Sequence, residues 1–117
     1  MAYRILLANP AYRWNLDEKY ERYFIRSGSR WPHSGIKRKG TLPHYLPFPF
    51  FLAYAAAWLV RDGFDTQVLD CVALDLDEAG FLERVVRQKP DCVFYETTTP
   101  TIHRDLALAR SLKAALG

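Results

Sequence analysis

No stretch of this sequence approaches the roughly 18 consecutive apolar residues of a membrane-spanning helix. The richest stretch, residues 48–60, is broken by Pro49 and interleaved with alanines. Cysteine is scarce: Cys71 and Cys92, 21 positions apart, have no metal-ligand spacing around them. They are expected to be buried structural thiols, although a disulfide between them is possible in principle. His33, His44 and His103 show no metal spacing either, and are expected at the surface or at a helix start. No Gly-x-Gly-x-x-Gly or Walker-type loop follows the first apolar run, which disfavours dinucleotide and P-loop nucleotide binding. The first ten residues enter a strand pattern directly, without a basic leader region or a small-residue cleavage site, so a cytoplasmic location is expected.

What is present is ordinary globular composition with an aromatic excess: 50% apolar, 25% charged and 15% aromatic over 117 residues, room for one core. The net charge of +3 is unevenly distributed. Residues 9–48 carry eight Lys/Arg against three acids, whereas the remainder carries eight against ten. A basic surface throughout would point to nucleic acid. One basic segment points instead to a loop facing an anionic or acidic partner, and no nucleic acid is expected. The run Lys37-Arg38-Lys39 within it reads as a solvated face.

Three short apolar runs read as strands of a parallel sheet, at about 3–8, 66–71 and 91–96. Helical patterns separate and follow them. The first, about 50–61, carries Leu52, Ala55, Ala56 and Leu59 on one face, with Pro49 at its first turn and Gly63 just past its end. The second, about 76–88, has Asp75 and Glu78 at capping-box spacing and a stripe of Phe81, Leu82, Val85 and Val86. The third, about 100–116, has Thr99 as N-cap, Pro100 at its first position, and Ile102, Leu106, Ala109 and Leu116 as its core face.

Strand–helix three times over predicts an α/β fold with the doubly wound order 2-1-3, the opening of a flavodoxin-like (Rossmann-like) sheet. A complete sheet of that type needs about five strands, so the third would be an uncovered edge. The chain is therefore expected to be an N-terminal part of something longer, or to have its edge covered by self-association.

The insert at 9–48 is far longer than a usual βα loop and holds eight of the seventeen aromatics, so it is expected to be an ordered, lid-like segment. Within it, Trp14 to Arg26 fits a short amphipathic helix.

In open α/β sheets ligands bind beyond the carboxyl ends of the strands, where the strand order reverses. The groups delivered there are Asn9-Pro10 after the first strand and Glu96-Thr97-Thr98-Thr99-Pro100 after the third, with Asp70 to the side. Threonine hydroxyls and backbone N–H groups at a helix start suit phosphate, amide or ribose groups. The structural alternative is a capped helix preceded by β-branched residues leaving a strand. No nucleophile–base pair or metal cluster supports catalysis by this chain alone, and Glu96 with Asn9-Pro10 fits a phospho-accepting receiver poorly.

The ordered set Ile-Leu-Leu-Ala-Asn-Pro (5–10), Arg30-Trp31-Pro32, Leu46-Pro47-Phe48-Pro49, Gly63-Phe64, Lys89-Pro90-Asp91 and Glu96-Thr97-Thr98-Thr99-Pro100 resembles the N-terminal cobalamin-binding domain of class B radical SAM enzymes. It is similar in particular to the branch containing the anaerobic magnesium-protoporphyrin monomethyl ester cyclase and hopanoid-associated proteins. The resemblance spans nearly the whole chain, and it implies a corrinoid across the carboxyl ends of the strands. Asn9, Pro10, Asp70 and Thr97 to Pro100 would then be cofactor-binding, with Arg30 and Trp31 packing on the corrinoid or the adjacent barrel. It also implies further strands and a radical SAM barrel downstream, which would hold the iron–sulfur cluster and S-adenosylmethionine. The methionine-synthase pattern Asp-x-His-x-x-Gly is absent after the first strand, so no cobalt-ligating histidine is expected from that loop. The other class of reading is a stand-alone flavodoxin-like or receiver-like interaction module, docking a partner through the basic aromatic insert.

Overall fold

The computed structural model describes residues 3–25, 33–43, 46 and 48–117. Arg30 and Trp31, the two insert residues expected against a corrinoid, lie outside the described residues, as do His44 and the side chain of His33.

The parallel sheet has the expected order. β1 (Arg4–Asn9) lies between β5 (Asp65–Asp70) and β6 (Cys92–Tyr95). Ala8 pairs with Leu69 on one side and with Tyr95 on the other. Because side chains alternate along a strand, β1 feeds two cores. Leu6 and Ala8 join Leu69, Cys71, Phe81, Val85, Leu108 and Leu112 under helices α2 (Glu78–Gln88) and α3 (Ile102–Leu116). Ile5 and Leu7 point the other way and meet Leu52 of α1 (Phe50–Arg61), with Ala55, Ala56 and Leu59 beside it. Helices therefore cover both faces of the sheet, but unequally. On the α1 side Phe94, level with Leu7 in the register, remains 52% exposed at the end of the sheet.

Helix ends follow local chemistry. Past α1 the N–H of Phe64 reaches the carbonyl of Leu59 and that of Gly63 reaches Val60. Gly63 sits at φ 90°, the paired C-terminal arrangement that a glycine admits without a Cβ penalty. Two caps differ from the sequence expectation. Asp77, not Asp75, caps α2, its carboxylate accepting from the Gly80 N–H at 2.8 Å. Asp75 instead occupies a left-handed turn position at φ 53°. Thr98, not Thr99, caps the start of the third helical segment, as a short 3-10 turn over Thr99–Thr101 precedes α3.

The face of α3 is a larger correction. Ile102, Leu106, Ala109 and Leu116 do not form its buried stripe; Thr101, Asp105, Leu108 and Leu112 do, and Leu106 is half exposed. The two polar members of that stripe are satisfied internally, which allows the helix to turn them inward.

The insert carries a separate antiparallel meander, β2 (Arg13–Asn15), β3 (Tyr20–Ile25) and β4 (His33–Arg38), so the helix expected over Trp14 to Arg26 is not formed over its described residues, 14–25. Its aromatic and β-branched residues suit a pleated surface, and Asp17 turns the chain by accepting the N–H groups of Lys19 and Tyr20, both at 2.7 Å. Glu21, Tyr23 and Ile25 alternate inward along β3, and Lys37 faces inward from β4. Gly35 lies opposite Tyr23, where a Cβ would come within 2.7 Å of the phenol oxygen, so this close crossing requires glycine.

The two N–H donors, Tyr20 first, hold the Asp17 carboxyl below its ordinary pKa, with Lys39 assisting and slight desolvation opposing. A depressed folded pKa contributes stability that is complete above the unfolded value and lost as pH falls through the folded one. In an NMR titration Asp17 is expected to protonate below the ordinary aspartate range, with the Lys19 and Tyr20 amides moving in step. A midpoint at or above that range would contradict the turn geometry.

Candidate functional site

The two loops expected to form a site do leave adjacent strands at the same level, since Ala8 and Tyr95 are paired and each is followed directly by its loop. After β1, Asn9 is buried, and its side-chain N–H donates to Asp70 Oδ1 at 2.9 Å across the β1–β5 pair. Asp70, which lies to the side of the β1–β6 boundary as expected, is thereby joined to Asn9. The same Oδ1 accepts from the N–H groups of Val72 and Ala73, so the carboxylate also shapes the turn after β5. These two candidates close the top of the sheet on the β5 side, and polar contacts within the chain account for both.

The β6–α3 loop is organised from beneath. Thr97 Oγ1 donates to Asp105 Oδ2 at 2.6 Å, and Thr101 Oγ1 donates to the same oxygen at 2.7 Å. Thr98 and Thr101 hydroxyls lie 3.0 Å apart, and the Thr98 N–H also points at Thr101 Oγ1. Tyr95 OH donates to the Asp105 carbonyl at 2.6 Å. Asp105 and Thr101 are buried, whereas Thr97, Thr99 and Pro100 are exposed and Thr98 is half-buried. A fixed buried base therefore holds a loop whose upper surface reaches solvent. Asp105 and Thr101 were not singled out in the sequence. Their signal was the spacing 101, 105, 108, 112, an inward face in which two polar residues replace apolar ones.

Pro10 and Ala11 line, with Asp77, Glu78 and Arg104 at the starts of α2 and α3, a small cavity of about 10 Å³. Arg104 and Glu78 pair across it at 2.6 Å. A larger cavity, about 210 Å³, lies at the opposite, amino end of the sheet, lined by Arg4, Gln67, Arg87 and Gln88 among others.

The insert is tied to the turn after β5. Arg13 of β2 pairs with Asp75, and Tyr23 and Pro43 line, together with Val72, a small cavity of about 10 Å³ at this seam. Tyr12 and Phe24 rings stack with centroids 4.9 Å apart. Lys37 is not part of a solvated run: its ammonium is buried, 2.6 Å from Glu21 Oε1, and also donates to the Thr41 carbonyl. On the outer face of the meander Trp14, Arg22 and Ile36 fall in register, with Trp14 and Ile36 both more than half exposed.

Among the described residues no group of three or more His, Cys, Asp or Glu could hold a metal ion, and no helix is long and apolar enough to cross a membrane. No protein-family model, curated protein or solved structure matches this chain.

Proposed function

We propose that this chain is the cobalamin-binding portion of a radical SAM enzyme, of methyltransferase or cyclase type, with the corrinoid lying across the carboxyl ends of β1 and β6. The observation that carries the reading is the 2-1-3 strand order, with the Asn9-Pro10 and Glu96–Pro100 loops leaving neighbouring strands at the point where the order reverses. The donor set is compatible with the group. A corrin ring is rimmed by carboxamides, and Thr97 and Thr98 offer solvent-reaching hydroxyls on a rigid base. The β1 loop, Pro10-Ala11-Tyr12-Arg13, has no histidine for the lower cobalt face. When bound, the corrinoid supplies group-transfer chemistry at cobalt; the chain's own residues bind and orient it. The iron–sulfur cluster, S-adenosylmethionine and the remaining strands belong, in this reading, to a downstream radical SAM domain. The bare end of the sheet at β6, with Phe94 exposed, suits either further strands or self-association.

A second reading, a docking module without cofactor, is favoured by the outer stripe Trp14–Arg22–Ile36, which mixes apolar and basic side chains on one exposed face. Titration with hydroxocobalamin separates the two, followed by visible absorbance on residues 1–117 and on a version continued through two further strands. Spectral change in the longer chain, with little or none in the shorter, is expected. No change in either would turn the assignment to the docking module.

A further inference from the structure

We infer that Asp105 is a positioning residue that turns the hydroxyl protons of Thr97, Thr98 and Thr101 inward, so that Thr97 and Thr98 offer a ligand hydrogen-bond acceptors and take groups that donate. The inference rests on the reading that a ligand lies at the carboxyl ends of the strands, and it narrows the chemistry of that ligand.

A threonine hydroxyl has one proton and two acceptor positions. Thr97 and Thr101 Oγ1 both donate to Asp105 Oδ2, at 2.6 and 2.7 Å, so both protons are committed there. Thr101 Oγ1 also lies 3.4 Å from the Thr98 carbonyl, but one proton cannot serve both, and the much shorter bond wins. The 3.0 Å contact between Thr98 and Thr101 is then directional: Thr101 has no second proton, so Thr98 must donate. Two relays, Thr97 to Asp105 and Thr98 through Thr101 to Asp105, end on one buried oxygen. Their solvent-reaching members are left with lone pairs alone.

The backbone reinforces this. The N–H of Thr98 points at Thr101 Oγ1, that of Thr101 bonds the Thr98 carbonyl, and Pro100 has none. A helix start normally attracts phosphate through such N–H groups. At the Thr97 and Thr98 hydroxyls a phosphate would meet lone pairs, whereas Thr99, exposed and outside both relays, keeps its own donors. The groups those two hydroxyls suit are carboxamide N–H and hydroxyl O–H.

Asp105→Asn reverses the arrangement, because its amide can donate to the threonine oxygens and free their protons to face outward. Thr98→Val removes one acceptor from the half-buried edge of the loop, and it serves as the second variant should Asp105→Asn fail to fold. NMR of the full chain reads the proton order directly, through the exchange and couplings of the threonine hydroxyl protons. Loop resonances of the chain continued through two further strands are then titrated with three probes: hydroxocobalamin, a hydroxocobalamin monocarboxylic acid in which one carboxamide is hydrolysed, and inorganic phosphate.

The expected results are slowly exchanging Thr98 and Thr101 hydroxyl protons, no response of Thr97 or Thr98 to phosphate, and binding of the amide form about tenfold tighter than the acid where the hydrolysed group faces Thr97 and Thr98. Thr98→Val should weaken the amide form about fivefold, the worth of one hydrogen bond. Asp105→Asn should bring the amide-to-acid ratio near one. Freely exchanging Thr98 and Thr101 hydroxyl protons, a phosphate response at Thr97 or Thr98 in the wild type, or an unchanged ratio in Asp105→Asn would overturn the inference. Ordered protons and phosphate rejection, with no response to either corrinoid, would uphold the loop's polarity and remove the corrinoid reading instead.

Discussion

Replacing Glu21 by Leu is expected to cost about 3–5 kcal/mol, whereas the double change Glu21→Leu with Lys37→Met should cost much less, or nothing. The Lys37 ammonium is almost fully buried and held by Glu21 Oε1 at 2.6 Å and the Thr41 carbonyl. Without the carboxylate it keeps one neutral acceptor, and a buried cation so placed is destabilising. Lys37→Met alone should fall at the lower end of the range, because Arg13 Nε still stands 4.0 Å from Glu21. Converting both partners to apolar groups of similar volume removes the desolvation penalty together with the attraction. The loss should be local. The meander is its own sheet, joined to the core through Arg13–Asp75 and the Tyr23–Val72 seam, so it can open while the parallel sheet persists. Hydrogen exchange should show β3 and β4 amides deprotected in the single variants and restored in the double. Equal losses in the single and double variants would contradict the account of the pair.

Phe81→Ala should be comparably severe but global. Phe81 is 1% exposed and lies in the cluster uniting β1, β5, α2 and α3, so truncation removes apolar contacts and leaves a cavity that four elements cannot easily close. The cost expected is about 3–5 kcal/mol, a large share of the roughly 5–15 kcal/mol typical of a domain. A urea midpoint should move accordingly, with all sheet amides losing protection together. Phe51→Ala, on the outer face of α1 where the ring is 63% exposed, should shift the midpoint by no more than about 0.5 kcal/mol. A similar loss at both positions would show the core to be placed wrongly.

The parallel sheet and its helices were legible because each segment's local signals agreed with its final place. Ile5 to Ala8 is apolar on both faces and is buried on both. Leu52 and Leu59 lie a helical repeat apart and meet the same face of the sheet. Three features were hidden, each for a physical reason. The meander's run from Tyr20 to Ile25, Tyr-Glu-Arg-Tyr-Phe-Ile, lacks the strict alternation of a half-buried strand and contains helical spacings, and Asp17 as a turn former was the clue that decides it. The inner face of α3 begins with Thr101 and Asp105, residues that hydrophobic periodicity assigns to solvent until their mutual hydrogen bond is known. Lys37 reads as one of three adjacent cations, and only strand alternation together with Glu21 across the register neighbourhood turns it inward. Of the candidate site, the placement of both loops could be read in the sequence. The Asn9–Asp70 bond and the buried carboxylate beneath the threonines could not, since each joins residues whose proximity depends on the folded chain.

If function resides at the carboxyl ends of β1 and β6, amide chemical-shift mapping with hydroxocobalamin on the chain continued through two further strands should show shifts concentrated at Asn9, Ala11 and Glu96 to Thr101. Shifts concentrated instead around Arg4, Gln67 and Gln88, at the cavity on the amino side, would contradict that placement.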